Sequence, residues 1–147
     1  MTTTTATELL NRRVVTTTDA TDAGEVKGFV ADRDMGRIRR VHVAGSTRLP
    51  KLVDWSRITD IGPDAVMVQS REDIHESVND ADDLFINGDI ALIGAKVLDT
   101  GGRFRGEVRD LHIDVESGAI TAVMTTDGRI EAADIKSIGT FALVIAE

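Results

Sequence analysis

The chain repeats itself, and that constrains its fold more than anything else in it. Gly24 to Ala44 (GEVKGFVADRDMGRIRRVHVA) and Gly106 to Thr126 (GEVRDLHIDVESGAITAVMTT) align without a gap at a constant offset of 82 positions. Gly24-Glu25-Val26 falls on Gly106-Glu107-Val108, Asp32 on Asp114, and Gly36 and Ile38 on Gly118 and Ile120. Further along, Ile58 and Ile135, Ile61 and Ile138, and Gly62 and Gly139 are separated by 77 positions, so the first copy has a loop longer by 5 residues between Ala44 and Asp54. Each copy spans about 60 residues, a size at which burial on folding is only marginally sufficient. The two copies are therefore expected to pack together, or the chain to dimerise.

Within each copy the pattern is that of short strands. Val26 to Ala31 alternates Val26, Gly28 and Val30 with Lys27, Phe29 and Ala31, the period of a strand with two different faces. Asp32 to Gly36 (DRDMG) is a turn, because Asp and Gly supply the side-chain-to-backbone bonds and the positive φ that a tight reversal requires. Ile38 to Val43 returns as the next strand. Its adjacent Arg39 and Arg40 break the alternation, so one of them faces inward or the strand carries a bulge. Leu52 to Ile61 and Ala65 to Gln69 complete the first copy. The second reads likewise through Ala95–Asp99, Gly106–Asp114, Ala119–Thr126, Ile130–Ile138 and a closing strand over Phe141–Ile145. Short strands separated by Gly turns indicate small antiparallel barrels.

This divides the chain into a disordered tail over 1–7, a first unit over 8–70, an acidic connector over 71–89 and a second unit over 90–147. The tail, MTTTTAT, is too polar to order itself. In the connector, Ile74, Val78 and Ala81 fall at helical spacing. Residues 8–70 carry 10 Lys/Arg against 9 Asp/Glu, residues 71–89 carry 1 against 7, and residues 90–147 carry 6 against 9. With a net charge of −8 the chain offers no broad footprint for phosphate backbones or anionic lipid. It has no Cys, which removes disulfides, thiol nucleophiles and Cys-ligated zinc. No apolar run reaches membrane-spanning length, and the first residues lack the pattern of a signal peptide, so a cytoplasmic location and no membrane insertion are expected.

The order and spacing of these stretches resemble the PRC-barrel family. In the second copy the resemblance rests on LIGAKVLDTGG, GEVRDLHIDVESGAITAV and IEAADIKSIG. In the first it rests on NRRVVTTTD, GEVKGFVADRDMGRIRRV and LVDWSRITDIGPDAVMV. The resemblance implies an all-β fold of two tandem small antiparallel PRC-type β-barrels, each barrel-like and six-stranded. Family members include the cytoplasmic domain of the photosynthetic reaction-centre H subunit and the C-terminal domain of the ribosome maturation factor. What carries over is docking on larger assemblies, and hence a non-enzymatic protein-binding or scaffold module, with two fused barrels acting as a built-in dimer. No cofactor and no small-molecule substrate are inferred.

Residues that could carry other chemistry are few. His75-Glu76 resembles the start of a zinc site, but Asn79 stands where the second His is needed. Asp80, Asp82, Asp83 and Asp89 lack the alternating ligands, Gly and closing Glu of a calcium loop, since Leu84 and Phe85 interrupt them. Gly101 to Gly106 lacks the order of a phosphate loop and reads as a flexible hairpin loop. His42, His75 and His112 have no triad-like neighbours. No catalytic or metal-binding residue is therefore assigned.

The candidate partner-binding residues are Arg37, Arg39, Arg40, Trp55 and Arg57. Together with Arg33, Arg48 and Lys51 the arginines make the first unit the more basic one. An anionic partner, a ribosome or RNA, is the alternative to a protein partner. Only Phe29 and Trp55 could add stacking to such a patch, and pairing of the arginines with the acidic connector would serve their charges equally well. Trp55 is either a core or inter-barrel residue, the favoured reading, or a hot spot on a partner surface.

Overall fold

The computed structural model describes residues 2–45, 50–76 and 79–147. The alternating stretches become strands, and the Gly- and Asp-rich stretches become the turns between them. In chain order the elements are β1 (Thr3–Thr5), α1 (Ala6–Leu9), β2 (Arg13–Thr16), β3 (Asp22–Ala31), β4 (Ile38–Ala44), β5 (Lys51–Asp54), β6 (Ile58–Ile61), β7 (Ala65–Val68), β8 (Ile74–Glu76) and α2 (Asp80–Ile86). They continue as β9 (Lys96–Asp99), β10 (Phe104–Asp114), β11 (Ile120–Thr125), β12 (Gly128–Glu131), β13 (Ile135–Ile138) and β14 (Leu143–Ile145). The fold is all-β in class.

The repeat is visible in the strand pairing. One sheet runs β6-β7-β2-β3-β4-β5-β8; the other runs β13-β14-β9-β10-β11-β12, with β1 added on β10. Without β8 and β1 the two orders are the same. In each, the single parallel pair is equivalent, β2 with β7 and β9 with β14. The irregularities repeat too. Val30 pairs with Arg40 but Ala31 with Ile38, which leaves Arg39 as an extra residue; His112 pairs with Ala122 but Ile113 with Ile120, which leaves Thr121 extra at the matching place. Of the two outcomes that the adjacent arginines left open, an inward-facing arginine or a bulge, the structure takes the bulge, at Arg39. A second matched pair of bulges extrudes Lys27 and Arg109.

Three expectations are corrected. The sheets are open rather than closed barrels: among the described residues β6 does not pair with β5 or β8, nor β12 with β13. A 3-10 turn at Trp55–Arg57, or at Ala132–Asp134, carries the chain round each corner without a ladder, and the outer edge of β5 is taken by β8. The tail is ordered from Thr3 onward, because the edge of β10 in the other half offers backbone partners that the polar segment cannot make for itself. Thr3, Thr4 and Thr5 pair with Asp114, Ile113 and His112. Thr5 then caps α1 through Glu8 N, and the Thr7 amide and hydroxyl donate to the Asp110 carboxylate at 3.0 and 2.5 Å. In the connector, Ile74 is in strand β8 rather than a helix, and the helix comes later, capped by Asn79, which accepts from Asp82 N at 2.7 Å. The helical spacing through Ile74 and Ala81 depended on Val78, which lies outside the described residues.

The two halves share one apolar core. Leu9, Met35, Ile38, Trp55, Ile90, Leu111, Ile113, Ile120 and Leu143 all belong to a single buried cluster. Two hairpin tips meet at its centre. Ile38 N donates to Gly118 O at 2.8 Å, and Ile120 N donates to Gly36 O at 3.1 Å. These four residues are equivalent pairs of the 82-residue repeat, so the joint is a reciprocal exchange. Gly118 is required there. Its φ is +77°, and a Cβ would stand 2.9 Å from both Ile38 O and Trp55 Cγ. Segments also cross between the halves: α1 packs on β10 of the second, α2 on β3 of the first.

Candidate protein-docking surface

The structure disperses the basic residues singled out in the sequence. Arg39 pairs with Asp32 at 2.9 Å. Arg40 is clamped on two sides, its Nε at 2.8 Å from Asp54 and its Nη1 at 3.0 Å from Asp82 on α2. His75 adds a contact to Asp54 at 3.2 Å, and Lys51 reaches Glu76 at 3.1 Å. Burial alone would push the Asp54 carboxyl up, but hydrogen bonds from His75 and Arg40 hold it below the usual carboxylate range. The acidic connector therefore takes up two of the first unit's cations. Arg37 and Arg57 are exposed and join none of the ion pairs among the described residues. Arg48 lies outside the described residues.

Trp55 is 2% exposed, so it is no surface hot spot. Its indole N–H donates to Val115 O at 2.9 Å, across the joint between the halves. The 3-10 turn that starts at Trp55 aims the ring at the opposite hairpin tip.

A different surface stands out, on the second half. Phe104 is 61% and Phe141 66% exposed, whereas the other large apolar side chains among the described residues are buried or half-buried. The two rings lie 6.4 Å apart, centroid to centroid, tilted by 41°. Lys96 Nζ sits 5.9 Å from one and 5.7 Å from the other, within cation–π range of both. Along β9, buried Val97 and Asp99 alternate with Lys96 and Leu98 on the outer face, and along β14 Val144 lies between buried Leu143 and Ile145. Phe104 is the register partner of Leu98, and Val144 is another. Leu98, Val144 and the two rings thus form one apolar strip.

Local chemistry holds this strip in place. The buried Asp99 carboxylate accepts from Gly101 N at 2.9 Å, Arg103 N at 3.0 Å and Arg105 Nη1 at 3.3 Å, which fixes the turn that delivers Phe104. The Arg103 amide, ahead of the Arg105 side chain and the Gly101 amide, keeps Asp99 below the ordinary carboxylate range. The loop expected to be flexible is therefore tied down. Phe141 was expected to open the last strand. It sits instead at the tip of the turn closed by Gly139 N to Ala142 O, 3.1 Å, where it borders a depression with Leu98 and Val144. Arg33 borders the strip beside Phe141, its Nε donating to Ile138 O at 2.8 Å. Arg109 and Glu107 line the depression beside Phe104.

Reasoning from sequence missed this surface, though the repeat held a signal for it. At the offsets of 82 and 77, Phe104 falls on Asp22 and Phe141 on Asp64. Lys96 corresponds to Arg13, since each pairs with the matching glutamate, Glu107 or Glu25. In the first half Arg13 and Asp22 form an ion pair at 3.5 Å where the second half carries exposed aromatic rings. An apolar residue replacing an acid twice, on a solvent-facing site, was legible from the alignment of the copies.

The sequence matches the family model of the PRC-barrel domain over residues 1–75, just over half of its length. The chain belongs to the PRC-barrel family. None of the curated proteins compared with it gives a match. In this PRC-barrel protein no group of three or more His, Asp or Glu among the described residues is gathered as a metal ion would need. No helix among them is long and apolar enough to cross a membrane.

Proposed function

We propose that this chain is a non-enzymatic protein-docking module built from two PRC-type units, and that its docking surface is the Phe104–Phe141 face of the second. One observation carries the reading: two large aromatic side chains are left in solvent at positions where the sister unit keeps acids. Exposed apolar side chains cost solubility, and a contiguous group of them with a polar rim is characteristic of interaction sites. The equivalent strand orders and the matched bulges support taking residues 90–147 as the second copy. The shared core and reciprocal tips support treating the two units as one preformed platform, a fused counterpart of a dimer. The alternative, an RNA- or ribosome-associated role for the arginines of the first unit, is disfavoured because Arg39 and Arg40 already have carboxylate partners.

The test is affinity isolation from native lysate after mild crosslinking, with wild type and the Phe104→Asp/Phe141→Asp double variant side by side. The expected outcome is a discrete complex that survives high salt with wild type and is absent with the variant. Recovery that ignores the double substitution, or RNA and ribosomal proteins that leave as salt rises, would overturn the proposal.

A further inference from the structure

The docking surface is apolar at its centre and cationic at its rim, on a chain whose net charge is −8. Lys96 stands between the rings, Arg109 is extruded by a bulge beside Phe104, and Arg33 is fixed by its bond to Ile138 beside Phe141. Glu107 is the one acid among the residues lining the two flanking depressions. A second copy of this chain meeting the face about a twofold axis would bring Lys96 against Lys96, an unfavourable pairing of like charges. We infer that the occupant is a segment of a partner protein with an apolar centre flanked by acidic side chains, the apolar residues covering Phe104 and Phe141 and the carboxylates meeting Lys96, Arg109 and Arg33.

The molecule contains one pairing of this chemistry already. Helix α2 carries Leu84 and Phe85 after Asp80, Asp82 and Asp83, and Asp89 follows just beyond its end. Leu84 and Phe85 pack against the core, while Asp82 is held by Arg40 at 3.0 Å. An acid-flanked apolar segment is thus already seated on one sheet by an arginine. The aromatic face offers the same complement and lies open among the described residues.

This inference rests on the docking reading above, and the test separates the two. Random dodecapeptides displayed on phage are selected against the full chain and counter-selected against Phe104→Asp/Phe141→Asp. Asp22 and Asp64 occupy the same backbone positions in the first half, so the variant keeps side chains compatible with that geometry. A second variant, Lys96→Glu/Arg109→Glu, reverses the rim on exposed positions. The expected result is enrichment of peptides with apolar centres and flanking Asp or Glu. The double Asp variant should not bind them, and the Glu variant should bind them at least about tenfold more weakly, increasingly so at low salt. Apolar peptides without acidic flanks that are lost with the Asp variant would overturn this inference and leave the docking surface standing. No enrichment, or peptides indifferent to both variants, would overturn both. Self-association in sedimentation that the Asp variant abolishes would replace the partner segment by a second copy. Binding to phosphatidylcholine–phosphatidylserine vesicles that depends on the two rings would replace it by a membrane.

Discussion

The same backbone site occurs twice in this protein and is finished in two ways. In the first half Arg13 and Asp22 pair beside Glu25, with Asp64 at the neighbouring turn; in the second, Lys96 lies between Phe104 and Phe141 beside Glu107. Strand order, parallel pair and bulges are common to both, so the side chains set the two sites apart, together with Arg71 of the connector, which donates to Asp22 O at 3.4 Å in the first half. A duplicated unit needs its scaffold residues in both copies but a binding surface in only one. The residues that differ on shared geometry are then the place to look for function, and those that agree are the place to look for stability.

The largest expected effect comes from exchanging the two surfaces. Each exposed Phe has the character of an interface anchor, worth about 2 kcal/mol when lost, so Phe104→Asp with Phe141→Asp should weaken partner binding by about a thousandfold. Its melting temperature should stay within about a degree or two of wild type, because neither ring contributes to the core. The reciprocal change, Asp22→Phe with Asp64→Phe, should create a second, weaker site beside Arg13. Calorimetric titration with the same peptide would read this as a rise in stoichiometry; an unchanged stoichiometry would show that the scaffold alone does not transfer the site.

The hairpin tips give the next comparison. Gly36 and Gly118 are equivalent in sequence, but only Gly118 combines a positive φ with contacts of 2.9 Å to Ile38 O and Trp55 Cγ. At Gly36 a Cβ would meet nothing closer than the Asp34 carboxylate oxygen, at 3.1 Å. Gly118→Ala should cost about 2–3 kcal/mol in denaturant unfolding, from left-handed strain and displacement of the indole, and Gly36→Ala less than about 1. Equal costs would mean that the tips do not carry the joint. Trp55→Phe, which keeps most of the packing but leaves Val115 O without its donor, should lie between them at about 1–2 kcal/mol.

These contrasts show what was legible in the sequence. Local physics was, in part: the DRDMG turn follows from its residues, although its positive φ falls on Met35 rather than Gly36, and the adjacent arginines left a bulge or an inward-facing arginine open. The strand over 26–31 is present, but the bulge at Lys27 puts Val26 in the core with Phe29 and Ala31 instead of with Gly28 and Val30. Pairing between distant segments was not. Nothing in MTTTTAT states that the edge of β10 is open to receive Thr3–Thr5, and nothing in the connector states that Ile74–Glu76 will take the edge of β5. The 3-10 turns at the corners and, in the first half, β8 on the edge of β5 go with the open sheets. That Arg39 and Arg40 are paired was hidden for a related reason, because a run of cations in sequence says nothing about which acids fold back onto it. Asp82 lies 42 residues from Arg40. Phe104 and Phe141 were hidden differently, since an apolar residue in a strand-forming chain is ordinarily taken for core.

The smallest expected effect is a dependence on pH that belongs to one half only. His42 on β4 corresponds to Met124 on β11 at the 82-residue offset. Burial, reinforced by the nearby charge of Lys27, pushes the His42 pKa below its ordinary value of 6.5. The unfolded chain therefore takes up a proton at this residue before the folded one does. Above pH 6.5 the imidazole is neutral in both states and costs nothing. As the pH falls from there towards the lowered pKa, stability declines, and below that value the decline from this residue ends. His42→Met installs the residue that the second half already uses and should flatten unfolding free energy measured between pH 7 and pH 5, while leaving the fall below pH 4 that Asp99 and Asp54 produce as they are protonated. If the slope between pH 7 and 5 is unchanged in His42→Met, the half-buried imidazole is not its source.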